Sequence, residues 1–378
     1  MPKPLSSSVN GLTPSDRPLD ERDPAFATFQ SEKIHHATHG LYIPADLRLR
    51  FESPLPHEPW SMHGQSSAGL AMSVRRMSAL ITRRGFNRAL FGSAASAVAG
   101  CAVPFGSTRL AAVDCHAHVF HRELPMPDRR RAPAGYDATP EDHVRVLAAN
   151  DMTQGVLVQP SFLGTDNSYL VTSLRKYPDR FRGIVVVDPS IGSEQLQILQ
   201  DAGVVGIRLN LIGLPTPDFA STSWKALLAQ VRERSWQIEV HQLARELRPV
   251  VDPLLGEGLN VVVDHFGRPD EKLGVEDPGF RYLLTLGPSR KVWVKLSGAY
   301  RNGPAGQGEA TALAALPLLR NSFGLDRLVW GSDWPHTLFE KTVDYRSQRQ
   351  LLDQWLPLTA DRMIVLRETP ARLFGFSS

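Results

Sequence analysis

The stretch Leu110-Ala-Ala-Val-Asp-Cys-His-Ala-His-Val-Phe120 begins as a short apolar run and ends in polar side chains. Runs of this kind, rich in β-branched residues, are typical of buried strands. Seven more follow along the chain, at Gly155–Ser161, Gly183–Ser190, Val205–Leu211, Gln237–Gln242, Asn260–Gly267, Val292–Gly298 and Arg327–Pro335. The eight runs predict eight strands.

Segments with helical spacing separate these runs. They are Glu141–Asn150, Tyr169–Tyr177, Ser193–Ala202, Trp224–Arg234, Leu243–Leu255, Phe280–Leu286, Ala310–Phe323 and Val343–Leu356. Continuous apolar strands that alternate with helices predict a parallel sheet covered by helices. Eight such units in about 270 residues match the size of one closed barrel. We therefore predict an α/β fold, a single (β/α)8 TIM barrel over residues 107–378.

The composition is that of a globular protein, with 42% hydrophobic and 21% charged residues in 378. The formal net charge of +3 lies in residues 1–101, where 11 Lys and Arg stand against 8 Asp and Glu, and the rest of the chain carries 31 of each. A nucleic-acid-binding protein normally has a concentrated basic face, so we expect no nucleic-acid partner. The two cysteines, Cys101 and Cys115, are too few for a disulfide framework.

Residues 1–101 divide into two parts. Residues 1–76 have no sustained helical or strand period, and we expect a disordered extension. Residues 77–101 have the pattern of an export signal, because the basic stretch Thr82-Arg-Arg-Gly-Phe86 precedes a small apolar run that ends in Ala97-Val-Ala99. The paired arginines resemble the twin-arginine type of signal, so export machinery is an expected partner.

Export signals stand at the start of a chain, so we expect translation to begin at Met72 or Met77, which would make 1–71 an artefact of the assigned start. Val98-Ala-Gly-Cys101 also resembles a bacterial lipobox, which would place a lipid anchor on Cys101. We predict an exported protein, either periplasmic or a membrane-anchored lipoprotein. Cleavage after Ala99 is the alternative to lipidation. If the segment is instead an ordinary amphipathic helix with an Arg pair, the protein stays cytoplasmic.

The side chains suited to chemistry collect where the strand runs end. In a barrel the carboxyl ends of the strands meet at one mouth, where active sites of this fold lie. Because residues two apart in a strand point to the same side, His116 and His118 face a common point. Three other runs end in His241, His265 and Asp333. Imidazole and carboxylate together suit Zn, Mn or Fe, and a bound ion would polarise a carbonyl and activate a coordinated water.

Seven motifs carry a family resemblance. They are Val113-Asp-Cys-His-Ala-His-Val-Phe120, Gly164-Thr-Asp-Asn167, Arg182-Gly-Ile-Val-Val-Val-Asp-Pro189, Gly206-Ile-Arg-Leu-Asn210, Val263-Asp-His-Phe-Gly-Arg-Pro269, Val329-Trp-Gly-Ser-Asp-Trp-Pro-His336 and Glu368-Thr-Pro-Ala-Arg-Leu-Phe-Gly375. Together they resemble the amidohydrolase superfamily, in the branch that includes 2-pyrone-4,6-dicarboxylate hydrolase and sugar-acid lactonases. The resemblance spans residues 110–376, essentially the whole predicted barrel.

The resemblance implies an enzyme that hydrolyses a cyclic ester, a lactone or a 2-pyrone carboxylate. Asp333 would act as the general base, which takes a proton from the attacking water and gives it to the leaving oxygen. His116, His118 and His265 would hold the carbonyl oxygen or its metal, where the tetrahedral intermediate builds up negative charge. These four residues are the expected catalytic set.

The resemblance also implies a small anionic substrate. Arg208 matches the family position that binds a substrate carboxylate, for which a bidentate guanidinium is well suited. Arg301 is the candidate for a second carboxylate, with an exposed loop arginine as the alternative. Ser161, Asn167 and His336 complete the expected substrate contacts.

Two loops depart from the pattern of the pyrone-dicarboxylate hydrolase. Ser161-Phe-Leu-Gly164 is apolar where that hydrolase has a His before its Gly-Thr-Asp-Asn motif. The loop Ile212-Gly-Leu-Pro-Thr-Pro-Asp-Phe219 lacks the second basic residue expected for a dicarboxylate. Part of the substrate contact expected from the family is therefore missing.

A third departure concerns metal. His241 stands where that hydrolase, a metal-independent member of the family, has a non-ligating aromatic residue. With His116, His118 and Asp333, His241 would complete a mononuclear site. The residue that bridges two metals in other branches is absent, because Arg208 lies in that neighbourhood. We therefore expect either no metal or one divalent ion, Zn or Mn.

Two other functions fit the same residues. A metal-dependent non-oxidative decarboxylase of an aromatic acid has the same barrel and the same His and Asp residues, although the run Asp264–Pro269 favours the lactonases. A non-catalytic envelope lipoprotein would use an inherited barrel to bind a ligand. Such a protein is expected to lose Asp333 or the His-x-His pair, and both are present.

Overall fold

The computed structural model describes residues 112–127, 132–133, 135–304 and 306–376. Eight strands form one sheet in which their order follows the chain, and each strand pairs in parallel with the next. The strands are β1 (Val113–Ala117), β2 (Gln154–Val158), β3 (Phe181–Val185), β4 (Val204–Asn210), β5 (Gln237–His241), β6 (Asn260–Val263), β7 (Val292–Leu296) and β8 (Leu328–Trp330). All eight predicted strands are confirmed.

The sheet closes where β8 returns to β1. An isolated parallel bridge joins Ala117 to Trp334, and the backbone N–H of His118 donates to the Trp334 carbonyl at 2.8 Å. The N–H of Asp333 donates to the His116 carbonyl at 2.8 Å. The result is a nearly closed eight-stranded parallel barrel with helices between the strands, consistent with the predicted TIM barrel.

Helices cover the outside of the barrel. They are α1 (Pro140–Ala148), α2 (Ser168–Lys176), α3 (Ser193–Asp201), α4 (Thr222–Glu233), α5 (Arg248–Gly256), α6 (Pro278–Leu284), α7 (Gln307–Phe323), α8 (Tyr345–Trp355), α9 (Thr359–Met363) and α10 (Thr369–Phe374). A π-helical segment, Ile364–Glu368, joins the last two. Each of the eight predicted helical segments contains a helix.

One predicted helix is interrupted. The segment Leu243–Leu255 forms a short 3-10 turn, Ala244–Glu246, and then α5. Pro249 lies in the first turn of α5, and because a proline has no N–H it cannot continue a helix from the preceding turn. The start of α1 is defined by a different signal, since Thr139 Oγ1 accepts from the Asp142 N–H at 3.1 Å while the Asp142 carboxylate accepts from the Thr139 N–H at 3.2 Å.

The main apolar core lies between the strands and the helices, a second apolar cluster includes Val113, Val156 and Val329, and several strands also carry buried charged side chains. β1, β5 and β7 are buried along their whole length, yet they carry His116, Glu239 and Lys295, each with no exposed surface. Because alternate residues of a strand face opposite sides, charged side chains inside the barrel coexist with an apolar outer face. Among the described helices, none has the length and apolar character needed to span a membrane.

Several predictions concern residues that the structure does not describe. The disordered extension at 1–76, the export signal at 77–101 and the lipid anchor on Cys101 all lie outside the described ranges. They stay predictions.

Candidate active site

A small cavity of about 40 Å³ opens at the carboxyl ends of the strands. Most of the residues predicted for the site from the sequence line it, namely His118, Ser161, Arg208, His241, His265, Arg301 and Asp333. Pro160, Phe162, Thr337 and Leu338 complete the wall. His116 lies beside it, fully buried, with its Nε2 atom 3.7 Å from Asp333 Oδ1.

The two carboxylate oxygens of Asp333 have different surroundings. Oδ2 accepts a hydrogen bond from the Tyr300 hydroxyl at 2.7 Å and another from Arg301 Nε at 2.5 Å. Oδ1 has no hydrogen-bond partner within the described chain. It lies 3.4 Å from His118 Nε2 and 3.7 Å from His116 Nε2. One oxygen is therefore anchored, and the other is available for chemistry.

The loop after β8 is tied to β1, and this places Asp333 above the histidines. Asp114 accepts from the Ser332 N–H at 2.8 Å and from the Ser332 hydroxyl at 2.6 Å. The backbone of Asp333 has φ 61°, in the left-handed region. Non-glycine residues adopt this conformation only at a cost, and such residues concentrate at functional sites.

Close packing around Asp333 also requires glycine after β7. A Cβ atom on Gly298 would lie 2.7 Å from His265 Nδ1 and 3.1 Å from Asp333 Oδ2. The φ of Gly298 is 54°, which glycine adopts without strain. Any other residue there would push His265 and Asp333 apart.

The two histidines of the His-x-His pair are held in different tautomers. His118 Nδ1 lies 2.8 Å from the Val158 carbonyl oxygen. Since a carbonyl only accepts, Nδ1 carries the hydrogen and donates it. The other ring nitrogen, Nε2, therefore has a lone pair, and it faces Asp333 Oδ1.

His116 is set the opposite way by Lys295. Lys295 Nζ lies 2.9 Å from His116 Nδ1, 2.6 Å from Glu239 Oε1 and 3.5 Å from Asp264 Oδ1. An ammonium group has donors only, so Nδ1 of His116 accepts and the ring hydrogen resides on Nε2. His116 thus presents an N–H, and His118 a lone pair, to the same oxygen of Asp333.

Arg208 is paired inside the barrel. Its Nε and Nη2 atoms donate to Asp264 Oδ2 at 3.2 and 2.8 Å, and its Nη1 atom donates to the Gln159 carbonyl at 3.4 Å. These contacts fix the guanidinium at the cavity wall and leave N–H hydrogens on both Nη atoms for a ligand.

Burial and charge determine the protonation of the site. Burial lowers the pKa of His265 to about 3 and lowers that of His118. Burial, together with the charge of Lys295, holds the pKa of His116 well below its ordinary value. Burial alone would raise the pKa of Asp333, but the charge of Arg301 and the neighbouring histidines hold it well below its ordinary value. At neutral pH His116, His118 and His265 are neutral and Asp333 is a carboxylate.

The donor set fits a single divalent ion. His118 Nε2 and Asp333 Oδ1 face each other with free lone pairs, and a ligating histidine commonly donates its other N–H to a carbonyl, as His118 does. Among the described residues, His116, His265 and Asp333 each offer one ligand atom, and these atoms lie within 4.8 Å of one another. With Lys295 at its Nδ1 atom, His116 would bind an ion through Nε2 after that atom gives up its hydrogen. Of the predicted ligands, His116 and His118 lie beside Asp333 and His241 lines the same cavity, and a metal ion held by this set stays a prediction.

Two residues predicted to contact substrate lie apart from the cavity wall. Asn167 donates to the Val186 carbonyl at 2.8 Å and accepts from the Val186 N–H at 3.1 Å, so its side chain ties the loop after β2 to β3. His336 is buried, with its ring centroid 6.0 Å from that of Tyr300. Burial lowers the pKa of His336 to about 4.

Four residues of the site were not among the predicted site residues. They are Tyr300, Lys295, Glu239 and Asp264, and each contacts a predicted residue or its partner. A sequence signal existed for Glu239, which precedes His241 by two positions in a strand and therefore faces the same side. Tyr300 had no such signal, because it follows β7 in a short turn, Ala299–Asn302.

Comparison with known proteins identifies the family of this chain. The sequence profile of the amidohydrolase family matches residues 113–376. The chain is 30% identical over 291 residues to a 4-sulfomuconolactone hydrolase of Rhizobium radiobacter, a match that covers 75% of this chain and 94% of the relative. It is 30% identical over 278 residues to a 2-pyrone-4,6-dicarboxylate hydrolase of Comamonas testosteroni, covering 70% and 90% of the two chains.

A solved structure supports the same family assignment. It is the crystal structure of a Pseudomonas putida protein that is named as a 2-pyrone-4,6-dicarboxylic acid hydrolase. The match has a TM-score of 0.67 and 41% identity, and it covers 71% of this chain and 99% of that one. The family profile, over residues 113–376, spans the barrel that carries Asp333 and the histidines. The chain therefore belongs to the amidohydrolase family, in the branch of ester- and lactone-hydrolysing enzymes that contains these relatives.

Proposed function

We propose that this protein hydrolyses the ring ester bond of a small anionic lactone or 2-pyrone carboxylate, with Asp333 as the general base. The observation that carries the proposal is the free Oδ1 atom of Asp333, buried beside His116 and His118 while Oδ2 is anchored. The relatives named as lactone and pyrone hydrolases support the same reaction class.

The reaction adds water across the ring ester. A water molecule near Asp333 Oδ1 attacks the ester carbonyl carbon, and Asp333 takes its proton. The acyl C–O bond of the ring then breaks, and Asp333 returns the proton to the leaving ring oxygen. One water is consumed, a carboxylic acid and a hydroxyl or its keto form are produced, and no redox step is needed. General base catalysis of this kind contributes about 10²–10⁴ in rate.

His116 is suited to stabilise the oxyanion. Lys295 keeps a hydrogen on its Nε2 atom, so the ring offers a donor where negative charge develops on the carbonyl oxygen. The charge of Lys295, 2.9 Å behind the ring, strengthens this donor. His118 and His265, which are neutral, shape the remaining wall.

The two arginines of the cavity wall are suited to bind the substrate carboxylate. Arg208 has N–H hydrogens left for a ligand on both Nη atoms. Arg301 faces the cavity and is 15% exposed, and its only carboxylate partner among the described residues is Asp333. A substrate carboxylate that takes Arg301 as its partner weakens this ion pair, which raises the pKa of Asp333 and makes it a stronger base.

His116, His265 and Asp333, with His118 beside Asp333, would hold a divalent ion, which would supply Lewis acidity that polarises the ester carbonyl. Whether or not an ion is bound, the two arginines orient the substrate and Asp333 moves the proton.

Product analysis tests the reaction class. The full chain is incubated with 2-pyrone-4,6-dicarboxylate or a γ-lactone monocarboxylate, and the products are identified by mass spectrometry. We expect a ring-opened acid heavier than the substrate by one water. Released CO2 from an aromatic acid, without lactone opening, would instead support the decarboxylase, and binding without turnover would support the ligand-binding lipoprotein.

A further inference from the structure

A second, larger cavity lies next to the candidate active site. It measures about 630 Å³ and opens above the carboxyl ends of β2, β3 and β4. Its wall is formed largely by apolar side chains, namely Pro127, Val186, Val187, Leu209, Leu211, Leu214, Pro217 and Trp224. A cavity of this size, mostly apolar with a few polar groups, is typical of a small-molecule binding site.

The two cavities are adjacent and share part of their walls. Ser161 and Arg208 line both of them. Arg208 is fixed at this boundary by Asp264, and it has N–H hydrogens free on its Nη atoms. When a substrate carboxylate bonds to Arg208, the substrate ring lies beside Asp333. A neighbouring substituent of the ring then points into the larger cavity.

The polar groups of the larger cavity do not suit a second carboxylate. Arg208 is the one cation among its described lining residues, and the loop Ile212–Phe219 that forms its rim contains no Lys or Arg. Burying an unpaired carboxylate against this wall would be costly. The amide of Asn210, buried with neither polar atom hydrogen-bonded in the described structure, offers a neutral donor and acceptor.

From this geometry we propose that the preferred substrate is a lactone or pyrone monocarboxylate with an apolar alkyl or aryl substituent, which fills the cavity of Leu211, Leu214 and Trp224. The Asn210 amide is available to a neutral polar group of the substrate. This inference rests on the proposed lactone hydrolysis and specifies its substrate class. It distinguishes this chain from an enzyme for small dicarboxylates.

A homologous series of substrates tests the inference. The full chain is assayed with 2-pyrone-4-carboxylates that carry hydrogen, methyl, butyl, phenyl or a second carboxylate at carbon 6. We expect kcat/KM to rise from hydrogen to butyl by roughly four-fold for each methylene that becomes buried. The dicarboxylate should be the poorest substrate of the series.

A matched pair of variants localises the effect. Leu214→Arg adds a basic residue to the rim of the cavity, and it should lower kcat/KM for the butyl and phenyl substrates at least ten-fold while raising it for the dicarboxylate. Leu313→Arg is the control, because Leu313 lies on α7 with a similar exposure, 58% against 46%. It should change neither value.

Two failures can be told apart. If the unsubstituted lactone is hydrolysed but kcat/KM is flat across the series, or the dicarboxylate is preferred, the inference is overturned and lactone hydrolysis stands. If no lactone is hydrolysed, the proposed function fails, and calorimetry with biphenyl-3-carboxylate and isophthalate decides the inference alone. Tighter binding of the biphenyl acid, lost in Leu214→Arg, supports the apolar cavity, whereas equal or weaker binding contradicts it.

Discussion

The Nε atom of Arg301 lies 2.5 Å from Oδ2 of Asp333. One of the two guanidinium groups that can receive a substrate carboxylate is therefore also the group that holds the proposed base. Burial by itself would raise the pKa of Asp333, and the charge of Arg301 is the largest of the interactions that lower it. Substrate binding and base strength are thus coupled through one ion pair.

Replacement of Arg301 tests this coupling. In Arg301→Met the charge that lowers the pKa of Asp333 is gone and burial remains, so the acid limb of the kcat/KM profile should move to higher pH. For an anionic lactone kcat/KM should fall about 10² or more, the cost of losing a charge-assisted contact. A neutral lactone should lose less. Arg232→Met, on the exposed side of α4, is the control, and an acid limb that does not move would contradict the coupling.

Lys295 is predicted to act through His116. In Lys295→Met the buried Glu239 and Asp264 lose their cation, and breaking such a pair destabilises a protein by about 3–5 kcal/mol. The double variant Lys295→Met with Glu239→Gln removes one of the uncompensated charges, so thermal unfolding should recover in part. The kcat should stay at least ten-fold low, because His116 no longer has a fixed N–H. Recovery of kcat together with stability would assign Lys295 a structural role only.

The buried ring of His143 is expected to make the free energy of unfolding depend on pH. Burial lowers its pKa to about 3, and the ring stacks on Trp334 with centroids 5.0 Å apart. In the unfolded chain the pKa is about 6.5, so the unfolded state binds more protons between these values and stability falls as the pH drops below 6.5. Burial raises the pKa of Asp114 to about 6. Below pH 6 the folded state therefore binds more protons at Asp114, and this contribution to stability rises as the pH drops.

The variant His143→Phe removes this proton uptake while it keeps an aromatic ring against Trp334. Relative to its own value at pH 7, its free energy of unfolding at pH 5 should exceed that of the wild type by about 2 kcal/mol. Denaturant unfolding at several pH values measures this difference. Parallel curves for the two proteins would show that His143 does not titrate on unfolding.

The predicted export depends on the signal pattern in residues 77–101, and it can be tested in cells. Arg83→Lys with Arg84→Lys should retain the protein in the cytoplasm, because a twin-arginine signal is recognised through that pair. Arg88→Lys, a third arginine inside the same segment, is the control and should leave export intact. Fractionation followed by immunoblotting gives the result. Wild-type protein found only in the cytoplasm would contradict the signal.

The sequence predicted the strands and most of the residues at their ends, because strand ends in a parallel barrel must meet. His118, His265 and Asp333 could be placed at one mouth from periodicity alone. Periodicity does not give side-chain pairing across strands, which depends on register and rotamers. The pairing of Arg208 with Asp264 and of Lys295 with Glu239 therefore needed the structure.

The role of His116 shows the same limit. A His-x-His pair predicts two imidazoles that face one point, and both were expected to be alike as metal ligands. Their difference comes from partners on distant strands, the Val158 carbonyl for His118 and the Lys295 ammonium for His116. Asn167 is a further case, since a motif residue turns out to bond the backbone of Val186.

The most direct test of the account is the variant Asp333→Asn with the lactone that the full chain hydrolyses. The amide keeps the shape of the carboxylate but cannot take a proton from water. We predict that kcat falls by about 10³ or more, while circular dichroism is unchanged and a non-hydrolysable carboxylate analogue still binds within about ten-fold. Full or nearly full activity of Asp333→Asn would remove Asp333 from the mechanism and contradict the central claim.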